Sequence, residues 1–333
     1  MKPRLLLALG IIFGLTLLIT PWIGPESVRP ADALSAIRGE LSPRGMIFWQ
    51  QRLPRVLLAL IAGGTLAVAG AAFQALFRNP LVEPFTLGIS GGSALGAFLA
   101  ISIPGLWFTW GPFGSIQVTA LLGAAASLFL IDRLAGRSAR LSVSTLLLAG
   151  VTVSIICSGA ILLLTYVATP NALVVYQRWM MGGVDIIGYR DLIALLPMWL
   201  PGLALVAGQS DRLNHLALGE EMALGHGVNV RSVQRRVFVG GGLATAAVVS
   251  LVGPIGFVGL IVPHAVRRLG ATDQRTILPG AFLLGGTVLT VCDAAARTVI
   301  APTELPVGII TAVIGGPLFI RMLVSRGRRS RPQ

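Results

Sequence analysis

The sequence contains few charged residues, two cysteines and three histidines, and each shortage excludes a class of protein. Only 12% of the 333 residues are charged, whereas 54% are apolar, which excludes a soluble globular domain. Cys157 and Cys292 lie in apolar stretches, are too few for a disulfide framework, and are interpreted as core residues. His215, His226 and His264 are scattered without metal-ligand spacing, so no metal site and no cofactor are predicted.

What the sequence has instead is a succession of long apolar stretches, with a mean hydropathy of +0.82. Stretches of about 17 to 25 residues are long enough to cross a bilayer as helices. We predict an all-α, polytopic membrane protein with about ten transmembrane helices, forming one transmembrane domain over residues 1–333. The predicted spans are 5–23, 54–76, 86–103, 113–131, 144–167, 191–208, 237–252, 255–268, 277–299 and 306–324.

The first span and the eighth span are the two that the pattern defines least clearly. The N-terminus has Lys2 and Arg4 before an apolar run, which is also typical of a signal peptide. The run is long and no small-residue cleavage site follows it, so a retained first span is favoured. The eighth span is short and is interrupted by Gly253, Pro254, Gly256 and Gly259.

The distribution of basic residues predicts the orientation of the chain. The chain has a net charge of +13, but its basic residues form no basic, aromatic-laced surface of the kind that binds nucleic acid. Ten spans place both termini on one side, and placing them in the cytoplasm leaves most of the 26 lysines and arginines on that side. The exterior loop that contains Arg52 and Arg55 is an exception to this rule. These arginines either extend to lipid headgroups or bind an acidic protein outside.

The segment 210–236 is the longest predicted cytoplasmic connection, and it is amphipathic. We predict two short helices joined at the Gly-His-Gly turn, the first covering Leu216 to Leu224 and the second carrying the basic residues. Such a segment lies on the membrane surface or binds a partner protein. Glu220 and Glu221 fit poorly on an anionic lipid surface, which favours a partner.

Several long blocks, found in one order, resemble the FecCD-type permeases, the membrane subunits of ABC importers for iron-siderophores, haem and vitamin B12. The blocks include QRLPRVLLALIAGGTLAVAGAAFQALFRNPLVEPFTLGISGG, LLLAGVTVSIICSG, WMMGG, LALGEEMALGHGV and VGPIGFVGLIVPHAVRRLGATDQRTILPGAFLLGG. They extend over nearly the whole chain from Arg52 onward. WMMGG, ICS and LALGE are most similar to the members that transport vitamin B12.

The resemblance implies roles for two groups of residues. It implies that Arg52, Arg55 and Arg297 face the periplasm and pair with glutamates of a periplasmic or lipid-anchored substrate-binding protein. Asp293 precedes Arg297 by four residues, so an internal ion pair is the alternative for that arginine. It also implies that segment 210–236 forms the coupling helices that contact an ATPase subunit, with these residues at the centre of the motif: Leu218, Gly219, Glu220, Ala223 and Gly225.

The resemblance further implies a cytoplasmic gate and a translocation pathway between two copies of the subunit. The gate residues are Asn79, Leu81, Ser142 and Ser144, although Asn-Pro is also a common turn signal. The pathway is lined by spans five and ten, which offer Thr152, Ser154, Ser158, Thr165 and Thr311. Serines in helices also serve as packing residues, and both readings of these side chains stay open.

An internal repeat is a further expectation for the fold. GGTLAVAG at Gly63 resembles GGLATAAVVSLVG at Gly241, in spans that are predicted to run in opposite directions. An inverted repeat of spans 2–5 and 7–10 would explain the similarity, and so would chance in a sequence rich in glycine and alanine.

The predicted function is that of the transport subunit of an ABC importer in the bacterial inner membrane, working as a homodimer. It is not an enzyme, because a phosphate-binding loop needs a Gly-Lys-Ser/Thr sequence and the only lysine is Lys2; ATPase subunits must hydrolyse the ATP. The alternatives are an ion-coupled secondary transporter, a membrane-embedded enzyme and a scaffold. Corrinoid, ferric siderophore and haem all suit the family, with corrinoid slightly favoured by the wording of the blocks.

Overall fold

The structure is a computed structural model that describes residues 2–37, 42–111, 113–136 and 143–329. In these residues the chain forms fifteen α-helices and one short antiparallel hairpin. The helices are α1 Lys2–Ile19, α2 Pro30–Ile37, α3 Pro43–Met46, α4 Leu53–Leu76, α5 Ile89–Ser102, α6 Ser115–Gly136, α7 Val143–Val167, α8 Pro170–Met180, α9 Arg190–Ala207, α10 Ser210–Leu218, α11 Glu220–Gly225, α12 Val230–Val252, α13 Val258–Arg268, α14 Gln274–Thr298 and α15 Val307–Arg329. The hairpin pairs β1 Thr109–Trp110 with β2 Phe113–Gly114.

Each of the ten predicted spans coincides with a helix, so the all-helical character of the fold is confirmed. Among the described residues, seven helices are long and apolar enough to cross a membrane: α1, the continuous helix that ends in α4, α6, α7, α9, α12 and α14. α5 and residues 307–322 of α15 form shorter apolar helices, and α13 has only 11 residues. The number of spans therefore stays a prediction for these three elements.

The segment 210–236 is divided at a different place from the one predicted. The predicted helix over Leu216 to Leu224 is wrong, because α10 ends at Leu218 and α11 begins at Glu220. Gly219, between them, has φ 135° and ψ 152°, a conformation that L-residues rarely adopt and that ends the helix. The basic half of the segment is the beginning of α12 rather than a separate short helix.

α4 lies at the centre of the bundle and packs against α1, α9, α12, α13 and α14. Nearly all of its residues from Val56 to Leu76 are buried by these neighbours. Its glycines allow close contact: a Cβ on Gly63 would lie 2.2 Å from the carbonyl oxygen of Gly285 in α14. Small residues permit such close backbone contact. In lipid the hydrophobic effect does not drive helices together, so this van der Waals packing stabilises their association.

Non-helical backbone separates α12 from α13 and α4 from α5, inside the helical bundle. Gly253 and Phe257, at the two ends of the first break, each have a φ of 68°. Gly88, immediately before α5, has a φ of 79°. The side-chain amide of Gln74 donates to the carbonyl oxygens of Gly259 and Leu260, at 3.2 and 3.3 Å. This amide supplies partners inside the protein for carbonyl groups near the break, as membrane burial requires.

We expect Gly70→Ala to destabilise the fold strongly, because a Cβ at this position would lie 1.9 Å from the carbonyl oxygen of Gly259. The clash is with backbone, so α4 and α13 must separate, at a cost of at least about 1–3 kcal/mol. Thermal unfolding of the detergent-solubilised protein measures the change. Gly10→Ala is the control, since nothing lies within 4 Å of a Cβ there. Equal melting temperatures for the two variants would contradict the close contact.

Candidate functional site

Arg52 lies at the beginning of α4, where a π-helical stretch, Ile47–Arg52, joins the α-helix. Its side chain is buried and points toward the segment that follows α1 rather than outward. The guanidinium donates to the carbonyl oxygens of Pro21 and Trp22, at 3.4 and 3.3 Å, and to that of Glu26. Arg52 therefore fastens the chain after α1 to the first turn of α4.

Arg55 lies one turn further along α4 and contacts three carboxylates. Its Nε and Nη2 donate to Oδ1 of Asp293 in α14, at 3.0 and 2.9 Å, in a two-pronged arrangement. Its Nη1 faces the other way and contacts Asp185 Oδ1 at 3.1 Å and Glu304 Oε2 at 2.5 Å. Arg55 thus joins α4 to α14 and to the two loops that carry these acidic residues.

Arg297 is buried beside Asp293, and only 2% of its surface is exposed. Its Nε lies 3.1 Å from Asp293 Oδ2, so the internal ion pair that the spacing predicts is confirmed. Its Nη1 donates to the carbonyl oxygen of Ile23 at 3.1 Å. Its Nη2 is buried and has no hydrogen-bond partner among the described residues.

The three arginines line one cavity of about 450 Å³, which we call the arginine cavity. Its charged lining consists of Glu26, Arg52, Arg55, Asp185, Arg297 and Glu304. The resemblance named only the arginines. The acidic residues were missed because they belong to loops that are far from Arg55 in the sequence, and the one available signal was that Asp185 and Glu304 each stand near an end of a predicted span.

The segment formed by α10 and α11 lies at the opposite end of the bundle and presents exposed apolar side chains. Leu218, Met222 and Leu224 are exposed, whereas Ala223 is fully buried and supports the helix from beneath. Gly225, at the end of α11, is exposed. A partner protein can therefore contact Leu218 and Gly225 directly but not Ala223, and Met222 and Leu224 are contact residues that the sequence analysis did not single out.

Polar contacts attach this segment to the helices behind it. Asn214 of α10 donates to Asp273 Oδ1 at 2.7 Å and accepts from the backbone N–H of Gln274 at 2.8 Å, at the beginning of α14. Arg275 and Asp211 form an exposed ion pair at 2.7 Å. Glu220, which is half-buried, accepts from the side-chain amide of Gln234 in α12 at 3.1 Å. Movement of the segment would therefore reach α12 and α14.

A groove of about 970 Å³ opens beside α11, between that helix and the start of α12. Its lining includes Arg78, Leu218, Gly219, Glu220, Met222 and Leu224. Arg78 has φ 49° at the end of α4. The groove brings the end of α4 next to the predicted coupling residues.

Two of the predicted gate residues lie beside this groove in the turn after α4. The side-chain oxygen of Asn79 accepts from the backbone N–H of Leu81 at 2.9 Å, which is the contact of an Asx turn. Leu81 is exposed, and so is Ser144 at the beginning of α7. Ser142 lies outside the described residues. Asn79 thus has the turn-forming contact that its Asn-Pro sequence predicts, and its role as a gate stays a prediction.

Glu83, between α4 and α5, is an acidic residue that the sequence analysis missed. Burial raises the pKa of its carboxyl to about 7, and the backbone N–H of Phe257, which donates to the carboxylate, opposes that rise. Phe257 also packs against Gly315 of α15, where an added Cβ would lie 2.6 Å from the Phe257 Cβ. Glu83 therefore joins the turn that contains Asn79 to the break before α13 and, through Phe257, to α15.

The predicted pathway residues lie on two helices that have different neighbours, because α7 packs on α5 and α6 whereas α15 packs on α13 and α14. Thr152 and Ser158 are exposed on α7, Ser154 and Thr165 are half-buried, and Thr311 of α15 is buried. The hydroxyls of Thr152, Thr165 and Thr311 donate to carbonyl oxygens of their own helix. The donor of each of these three hydroxyls is thus used within its own helix, and its oxygen can still accept a hydrogen bond.

Comparison with known proteins gives one consistent result. The model of the FecCD transport family matches residues 9–325. The vitamin B12 import system permease protein BtuC of Escherichia coli O157:H7 is 38% identical over 330 residues, which cover 98% of this chain and 96% of that protein. BtuC of Escherichia coli O139:H28 is also 38% identical, over 327 residues.

Solved structures show the same fold. A metal-chelate type ABC transporter in an inward-facing conformation has a TM-score of 0.83 and 31% identity, covering 97% of this chain and 99% of that one. PsaBC from Streptococcus pneumoniae, solved with an Fab, has a TM-score of 0.50 at 17% identity and covers 80% of this chain and 89% of that one, so it bears on the fold alone. From the family match, and from relatives that align over nearly its full length, the chain belongs to the FecCD transport family.

Proposed function

We propose that this chain is the permease subunit of an ABC importer, which moves a metal chelate across the bacterial inner membrane with energy from a separate ATPase. The observation that carries the proposal is the placement of two interaction sites at opposite ends of α14. The Asn214 contacts are at its first residues, and Asp293 and Arg297 are near its end. Its 25 residues, at about 1.5 Å each, extend about 37 Å, which exceeds the thickness of a hydrocarbon core.

The orientation that we propose has ten spans, with both termini and segment 210–236 in the cytoplasm. The positive-inside tendency supports it, since most arginines then lie with that segment. The arginine cavity then faces the periplasm. Arg55 is the arginine of this cavity whose guanidinium reaches exposed carboxylates, so we assign the contact with a substrate-binding protein first to Arg55, with Arg52 and Arg297 behind it.

An inverted repeat is supported by the packing of the helices. If α4 to α7 correspond to α12 to α15, the contacts of α4 with α14, α5 with α6, and α6 with α7 should have counterparts. The contacts of α12 with α6, α13 with α14, and α14 with α15 are those counterparts. Both halves also place a break before their short second helix. We infer two repeats of opposite orientation, in the manner of several transporter folds.

The homodimer is proposed from the outer face of α7. Leu146, Gly150, Val153 and Cys157 lie on one face and are buried, whereas Leu148, Ile155, Ile156, Leu162 and Tyr166 are exposed. A second copy placed against α7 and α15 would enclose a weakly polar passage containing Thr152 and Ser158. Such a passage holds a bulky chelate loosely, and specificity then rests with the binding protein.

The substrate class follows from the relatives rather than from a pocket in this chain. Proteins 38% identical over nearly the full length are named as vitamin B12 permeases, and the structure at 31% identity is of metal-chelate type. We therefore propose a corrinoid first, with ferric siderophore and haem as the other members of the class. The alternative of an ion-coupled transporter is disfavoured, because the FecCD family model matches residues 9–325 and the solved structure at 31% identity is of an ABC transporter. The buried Asp293 is paired with two arginines.

The test is uptake by proteoliposomes that contain the permease and its ATPase, with the substrate-binding protein outside and ATP inside. We expect accumulation of radiolabelled cyanocobalamin that stops when the P-loop lysine of the ATPase is replaced by alanine, since that lysine binds the phosphates. Ferric siderophore and haem are assayed in parallel. Uptake that continues without ATP would reject the ABC mechanism, and ATP-dependent uptake of another chelate would replace only the corrinoid assignment.

A further inference from the structure

The contacts of Arg55 fall into a fixed set and an exchangeable set. Asp293 is completely buried and holds Nε and Nη2 of Arg55 at 3.0 and 2.9 Å. Asp185 and Glu304, which hold Nη1, have side chains that are 59% and 40% exposed. Exposed ion pairs contribute little free energy, because water screens the charges, so these two carboxylates can be displaced.

Both exchangeable carboxylates are held near Arg55 by ordered backbone. The loop of Asp185 is attached at both ends, since Gly183 donates to the carbonyl oxygen of Val252 at 2.8 Å and Gly188 to that of Gln50 at 2.6 Å. Beside Glu304, Leu305 donates to the carbonyl oxygen of Ala296 at 3.0 Å. The two acidic residues therefore return to Arg55 whenever no other anion is present.

These carboxylates also change the charge that an approaching protein meets. Arg52, Arg55 and Arg297 give the arginine cavity three positive charges, which Asp293, Asp185, Glu304 and Glu26 together outnumber. An acidic partner gains from the cavity only after Asp185 and Glu304 have moved away from Nη1 of Arg55.

We propose that Asp185 and Glu304 are internal competitors, which occupy Arg55 in the free transporter and are displaced by carboxylates of the docking protein. The proposal rests on the proposed function, because it presumes that the arginine cavity is the docking site. Competition of this kind reduces the apparent affinity to the intrinsic affinity multiplied by the fraction of time that the site is free. It lets the binding protein leave after each delivery, because the internal carboxylates recapture Arg55.

The experiment measures the affinity of the purified substrate-binding protein for the permease–ATPase complex in nanodiscs, at several salt concentrations. The variants are Asp185→Asn, Glu304→Gln and the double variant. We expect the double variant to bind about tenfold more tightly, with slower dissociation, as for a site that is occupied about 90% of the time in the wild type. Asp32→Asn is the control, since Asp32 lies in the same exterior region but contacts the backbone N–H of Arg29 rather than Arg55.

The outcomes separate this inference from the docking site itself. Wild-type affinity that falls as salt is raised supports docking by charge, and salt-independent affinity would overturn the docking site. If wild-type binding is salt-dependent but the double variant binds no more tightly than wild type, or more weakly, then Asp185 and Glu304 are not competitors and the inference is overturned while the docking site stands. Equal tightening by Asp32→Asn would overturn it too, because the effect would then be one of net charge alone.

Discussion

Replacing Asp293 with alanine is expected to lower the free energy of unfolding by about 3–5 kcal/mol. Asp293 is completely buried and is the shared partner of Arg55 and Arg297, at 2.9 and 3.1 Å. Removing it leaves the guanidinium groups of Arg55 and Arg297 close together. Arg297 loses its salt-bridge partner, and Arg55 keeps only the exposed Asp185 and Glu304 on Nη1. Chemical unfolding of the purified protein in mixed micelles measures the loss.

Asp132→Ala is the matched control for this prediction. Asp132 pairs with Arg235 at 3.2 Å, and the arginine side chain is 68% exposed, so its removal should cost about 0–1 kcal/mol. Asp293→Asn removes the charge but keeps the volume of the side chain. Its loss in free energy of unfolding should lie between those of Asp293→Ala and Asp132→Ala. If Asp293→Ala lowers the free energy of unfolding no more than the control does, water reaches the cluster. Pairing with Asp293 then does not stabilise Arg55 appreciably.

The arginine cluster also shows how far sequence reasoning extends. The spacing of Asp293 and Arg297 on one helix face predicts their ion pair, because residues four apart are neighbours on a helix. Nothing local predicts that Asp293 also binds Arg55, which is 238 positions away, or that Glu304 does so from 249 positions away. Those contacts depend on the packing of α4 against α14. Small residues permit this packing, but the periodicity of the sequence does not indicate which two helices will pack together.

The same limit explains the errors in segment 210–236. Apolar residues at Leu216 and Leu224 suggest one amphipathic helix, and glycine within a helical pattern is tolerated at a modest cost. Gly219 instead has a positive φ of 135°, which ends α10 and separates it from α11. Which face of α11 is buried depends on contacts with α12 and the rest of the bundle. Ala223, which the resemblance places at the centre of the coupling motif, packs inward.

The second large effect is expected from the exposed apolar surface of this segment. Leu218, Met222 and Leu224 are 67%, 52% and 60% exposed, at the edge of the groove beside α11. An amphipathic helix that inserts its apolar face into a partner's groove obtains most of its affinity from a few such side chains. We expect the triple variant Leu218→Ser, Met222→Ser and Leu224→Ser to lose the ATPase subunit and to reduce ATP-driven uptake at least about tenfold.

The triple variant changes side chains that are more than half exposed, so the permease itself should fold and insert normally, with a melting temperature close to that of the wild type. Co-purification of the ATPase with the permease measures binding directly, and proteoliposome uptake measures coupling. Leu269→Ser is the control, because Leu269 is a similarly exposed apolar residue at the end of α13 that lies outside the lining of the groove. If the triple variant retains the ATPase as the control does, the contact is elsewhere. If it retains the ATPase but loses uptake, these side chains transmit the movement of the ATPase to Asn214 and α14 rather than hold the ATPase in place.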